Sequence, residues 1–169
     1  PSTEAMIIVN DSILNLNQNT VISNAYSETA VCSTMWIAYD STLNVNGATL
    51  INNTSTNQAN ILISDDPIRT NTLNFSSGIF SENNGYYGNI INHNNLNIQG
   101  GSFYNNEAIN SGGVVSNNGT LILSGGEMYS NKAGLYGGAI YHSANGTITM
   151  TDGTIRNNQA NFGGGIALG

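Results

Sequence analysis

The stretch LILSGGEMYSNKAGLYGGAI, residues 121–140, decides the fold, because most of the chain is a variant of it. Leu121 and Leu123 are followed by the turn Gly125–Gly126, then Met128, Asn131, a second glycine pair and Ala139–Ile140. The same order recurs along the chain. Leu14, Leu43, Leu73, Leu96, Leu121 and Ile148 make a first column, and Leu16, Val45, Phe75, Ile98, Leu123 and Met150 a second. Val21, Leu50, Phe80, Phe103, Met128 and Ile155 make a third. Three residues further on stand Asn24, Asn53, Asn83, Asn106, Asn131 and Asn158, and Ile37, Ile61, Ile90, Val115, Ile140 and Ile166 close the copies. The spacing between copies varies, so loops absorb the differences.

Within a copy the apolar period is two, bounded by Gly, Asn, Asp and Ser, which signals short strands. One copy is too small to bury its own apolar face. Equivalent strands stacked about 4.8 Å apart bury whole columns together. The pattern therefore predicts an all-β parallel β-helix, a solenoid of about six coils with three short strands per coil and a length of about 30 Å. Right-handedness is the expectation for parallel crossovers.

Asparagine tolerates left-handed turns and also stacks into amide ladders, so Asn24, Asn53, Asn83, Asn106, Asn131 and Asn158 are expected to form one inward ladder. The glycine pairs are read as tight turns.

These repeats resemble those of the chlamydial polymorphic outer-membrane proteins, defined by FxxN and GGAI tetrapeptides. Phe80 to Asn83 and Phe103 to Asn106 are FxxN verbatim, and Gly137 to Ile140 is GGAI. Gly112 to Val115 and Gly163 to Ile166 are close variants, while the first two copies lack the second motif. The resemblance covers residues 12–169 and is strongest after residue 73. It implies an adhesin-like, surface-displayed and extracellular protein, part of an autotransporter-like passenger.

A net charge of −7, with three Lys or Arg against ten Asp or Glu, excludes a phosphate-neutralising nucleic-acid surface. It equally excludes a polybasic membrane patch, and no apolar run is long enough for a spanning helix. The single Cys32 excludes an internal disulfide framework. One domain, residues 1–169, is expected, as a fragment of a longer surface protein. Residues 1–11 read as a partial coil, 12–72 as less regular coils with loops at 25–34 and 64–72, and 73–169 as the regular coils.

Stacking makes distant residues neighbours. Tyr104, Tyr129 and Arg156 share an outward column, and Tyr86, Tyr136 and Phe162 align ahead of the closing strand. Aromatic stripes can stack on sugars or partner side chains, so these six are the candidate binding residues, with the two loops as second choice. Glu107 and Lys132 share a column as an exposed pair. Catalysis is not expected: Glu82, Glu107, Glu127 and Asp152 fall in different columns. Adjacent Asp65 and Asp66 should diverge in an extended segment, and no carboxylate is spaced to orient His93 or His142. No cofactor or metal is expected. The reading is a non-catalytic adhesin segment presenting a surface to a host or neighbouring-cell protein or glycan. The alternatives are a carbohydrate-active β-helix, lyase- or glycosidase-like, and an ice-binding solenoid. For the latter, the outward column Asn15, Asn44, Asn74, Asn97, Ile122 and Thr149 lacks Thr-x-Thr regularity.

Overall fold

The computed structural model describes residues 6–29 and 31–169. These residues form strands, turns and bends with no helix, and all the strand pairings are parallel. The chain is a β-solenoid of about six coils with three sheets running its length: one of eight strands, one of five and one of seven among the described residues. A coil begins on the eight-stranded face with a segment such as Thr120–Tyr129, turns onto the five-stranded face with a two-residue strand such as Lys132–Ala133, and closes on the seven-stranded face with Ile140–His142.

Register follows the apolar columns. Leu43, Leu73, Leu96 and Leu121 pair in succession, as do Val45, Phe75, Ile98 and Leu123, and Leu50, Phe80, Phe103 and Met128. All of these side chains are buried in one continuous core. Since side chains alternate between faces of a strand, pairing equals with equals puts each column wholly inside. Phe103 packs tilted on Phe75 at 4.6 Å and on Phe80 at 6.0 Å between ring centroids.

The GGAI motif acquires a physical reason here. Gly112, Gly137 and Gly163 are left-handed (φ 67°, 62° and 61°), and a Cβ on Gly137 would collide with the Ile140 carbonyl oxygen. A Cβ on Gly138 would collide with the carbonyl of Gly164 in the next coil. The first glycine serves the turn and the second serves the approach of stacked backbones.

The least regular coils depart from the expected alignment. In the first coil Ile22, not Val21, pairs with Leu50; Ile22 is 7% exposed and Val21 62%. The cause is the turn that follows Asn17: Asn17 opposes Asn46 and Val21 opposes Thr49, so the first coil spends one residue more between these pairs, in a tight turn closed by the Thr20 N–H on the Asn17 carbonyl (3.1 Å). A one-residue slip exchanges the faces. In the closing column Met35, not Ile37, opposes Ile61, and Ile7 opposes Met35. This is a two-residue slip, so Ile37 stays buried. Residues 25–34 are not a free loop: Tyr26–Ser27 and Cys32–Ala38 are strands, with Ala30 between them outside the described residues. Cys32 sits in a small second cluster with Ala59, Leu62, Ile91 and Trp36. Burial pushes its thiol up to about 12, against a smaller downward pull from a backbone hydrogen bond of Leu62. The expected partial coil, residues 1–11, is described only from Met6; Ile7–Asn10 pairs with the next closing strand.

Candidate functional site

The asparagine column is a ladder for five of its six expected members. The Nδ2 of Asn53 donates to Asn83 Oδ1 (3.0 Å), Asn83 to Asn106 (3.0 Å), Asn106 to Asn131 (3.0 Å) and Asn131 to Asn158 (2.9 Å). Each of these Oδ1 atoms also accepts the backbone N–H of the preceding asparagine. Each Nδ2 donates in addition to a core-strand carbonyl, for Asn106 that of Phe80 at 2.9 Å. The four from Asn53 to Asn131 are buried, and a buried polar group needs such full pairing.

Asn24 does not belong to the ladder. The slip in the first coil puts Ala25 in the slot, where its N–H donates to Asn53 Oδ1 (3.0 Å). Asn24 is left-handed (φ 58°) and exposed, and accepts from Asn52 Nδ2 (2.6 Å). Asn52, Glu82, Asn105, Ser130 and Asn157, each one residue before a ladder asparagine, are left-handed too. Turn conformation and laddering are therefore the work of adjacent positions, which the sequence reading merged into one.

Tyr104, Tyr129 and Arg156 are register partners on the outside of the eight-stranded face. The two tyrosine rings stack at 5.2 Å and 15°, and the Arg156 guanidinium lies 4.4 Å from the Tyr129 centroid. Arg156 Nε also donates to Glu127 Oε1 at 2.7 Å, which fixes the guanidinium over the ring. Tyr136 and Phe162 stack at 5.3 Å and 26°, both exposed, beside the exposed Leu135.

Tyr86 does not join that second column. Ser111 is the register partner of Tyr136, and Tyr86 packs edge-on against its neighbour Tyr87 at 4.8 Å. The turn before Ile90 is shorter than the later ones, so counting back from the closing strand misplaces it. The candidate surface is thus two separate stacks, one on the eight-stranded face and one at the turn before the seven-stranded face.

The acidic residues are distributed largely as expected. Glu107 pairs with Lys132 at 2.7 Å, both half-exposed, an ion pair of little worth. Asp152 opposes Ser124, and Glu127 opposes Thr154. Asp65 and Asp66, however, do not lie in a strand. Residues 66–69 form a turn, with the Ile68 N–H on Asp66 Oδ1 (3.2 Å) and the Arg69 N–H on the Asp66 carbonyl (3.3 Å). Both residues line a trough of about 300 Å³ together with His93, which spacing along the sequence did not associate with any acid. No group of three or more His, Cys, Asp or Glu among the described residues is arranged to hold a metal ion. Among the described residues no helix is long and apolar enough to cross a membrane.

No family model, no curated protein and no solved structure matches the chain.

Proposed function

We propose that the chain is a non-catalytic adhesive segment of an extracellular, surface-displayed protein, a rigid solenoid that presents a lateral surface to a protein or glycan on a host or neighbouring cell. The observation that carries this reading is the outward stack of Tyr104, Tyr129 and Arg156. Aromatic rings beside an anchored guanidinium offer flat, pre-organised contact area of the kind on which recognition surfaces concentrate their energy. The Tyr136–Phe162 stack, with its exposed apolar neighbour Leu135, extends the same chemistry to a second flank. Repeated FxxN and GGAI tetrapeptides support surface display by their resemblance to polymorphic outer-membrane protein repeats. Glu107 and Glu127 each face a cation and stand in different columns, which supports a role without acid–base chemistry.

The test is a binding assay of the purified chain on cultured cells and on immobilised glycans, comparing it with Tyr104→Ser/Tyr129→Ser. The double variant should lose at least roughly tenfold in affinity while its unfolding temperature stays within about 2 °C. Unchanged binding per folded molecule would remove the stack from this role.

A further inference from the structure

The trough that contains Asp65 and His93 is a separate surface from either aromatic stack. It runs along the turns between the seven-stranded and eight-stranded faces, where Asn94–Asn95, Gly119–Thr120 and Asn145–Thr147 succeed one another coil by coil. Its other wall is the 64–72 loop.

That loop is held from both sides. Arg69 bonds Asp66 at 3.2 Å and Asp40 at 3.6 Å, and its guanidinium lies 5.1 Å from the Tyr39 ring centroid. The Thr70 N–H donates to Asp40 Oδ1 at 2.8 Å, and Asn94 Nδ2 from the following coil donates to the Arg69 carbonyl at 2.8 Å. On the opposite wall Gly119 is required, because a Cβ there would collide with the Asn94 backbone. The glycine leaves this part of the wall without a side chain.

Polar groups elsewhere on this surface satisfy one another. Outward asparagines hydrogen-bond coil to coil, from Asn44 to Asn15, Asn74 to Asn44 and Asn97 to Asn74, each at 2.8 Å. In the trough Asn95 Nδ2 likewise donates to Asn94 Oδ1 (2.9 Å) and Thr147 Oγ1 to Thr120 Oγ1 (3.3 Å), but three lining side chains are not engaged in this way. The Asp65 carboxylate, the His93 ring and the Asn145 amide make no hydrogen bond or ion pair among the described residues, yet they border the same space. Donors and acceptors left unspent on a fixed frame are what a ligand site provides.

We infer that this trough binds a neutral, hydroxyl-rich oligosaccharide, with Asp65, His93 and Asn145 supplying the polar contacts. The lining selects that chemistry. Pro67 is its one apolar side chain, so a peptide would find no pocket for a hydrophobic anchor. Arg69, its one cation, is engaged by two carboxylates, and Asp65 adds a further negative charge, so uronates and phosphates are disfavoured. A volume of about 300 Å³ suits one or two sugar rings with the remaining rings along the open ends.

The experiment is a titration of the full chain with cellotriose, maltotriose and triacetylchitotriose, and with trigalacturonate as the acidic comparison, followed by two-dimensional amide NMR. At least one neutral trisaccharide should bind saturably and shift the amides of residues 65–69, 93–95 and 145–147. Asp65→Ala/Asn145→Ala should weaken this by at least roughly tenfold without lowering the unfolding temperature, since neither side chain has an intramolecular partner. Tyr104→Ser/Tyr129→Ser should leave it unchanged, so the trough and the aromatic flank succeed or fail separately. The inference is overturned by any of four results: no shift with any neutral probe at about 10 mM, a concentration well above a millimolar Kd; shifts mapping elsewhere; tighter binding of trigalacturonate; or cleavage of a probe.

Discussion

Two asparagine columns run through successive coils of this solenoid and behave differently. The inner one, from Asn53 to Asn158, lies at the corner between the eight-stranded and five-stranded faces, with four of its members buried. The outer one, Asn15, Asn44, Asn74 and Asn97, lies on the solvent side of the eight-stranded face. Both have amides bonded from coil to coil at similar distances, the inner ones donating to the following coil and the outer ones to the preceding coil. In the outer column water can replace every bond that is lost. In the inner column it cannot, so each amide must answer three or four fixed partners at once. The same residue at the same axial step is thus structural in one place and close to neutral in the other.

The largest effect is expected of Asn106→Ala. It strands the Asn83 amide and backbone N–H and the Phe80 carbonyl, and it takes one donor from Asn131 Oδ1. At about 1–3 kcal/mol for a stranded buried group, denaturant unfolding should record a loss of that size or more. A loss below about 0.5 kcal/mol would mean that water enters the corner and that the ladder is ornamental.

Burial should also show in titration. Cys32 is fully buried and its thiol is held up to about 12, whereas an unfolded chain ionises it near the ordinary value of 9.0. A raised folded value means that stability is intact below the unfolded value and falls as pH rises from about 9 toward 12. Unfolding free energy measured across that range should decline more steeply in the native chain than in Cys32→Ala. Parallel curves would show that Cys32 is not the group responsible. Under native conditions near neutral pH, the thiol should resist alkylation that it accepts readily in denaturant.

Asn24 and Asn53 should differ in the same way, although the sequence presents them in a single column. Asn24→Gly suits a left-handed position and should change stability by less than about 0.5 kcal/mol. Asn53→Gly removes the acceptor of the Ala25 N–H and a buried donor pair, and should cost at least about 1 kcal/mol. Equal effects would contradict the one-residue slip. The smallest expected effect is that of Asn74→Ala in the outer column, within about 0.5 kcal/mol by the same denaturant measurement. A larger loss there would show that exposed amide ladders contribute materially to these solenoids.

The two candidate surfaces were legible to different degrees. Tyr104, Tyr129 and Arg156 are found by laying copies under one another, because stacking in register turns equal positions into neighbours. Tyr86 was misplaced by the same method, since its turn has a different length and only the backbone path fixes where an irregular turn ends. The trough was not legible at all. Asp65 and His93 occupy no common column, and what joins them is the folding back of residues 64–72 against a later coil.

By itself the sequence determined the parallel solenoid, the core columns from Leu43 to Leu121 and from Leu50 to Met128, and the ladder from Asn53 onward. A period-two apolar pattern repeated in register has one economical burial, so local spacing suffices. Only the tertiary structure decided the register of the first coil, the division of labour between left-handed and laddered asparagines, and the trough. Each depends on how many residues a bend consumes or on where a loop is anchored. Those are set by backbone bonds between coils, such as Asn94 to the Arg69 carbonyl, rather than by any periodicity the chain carries along its length.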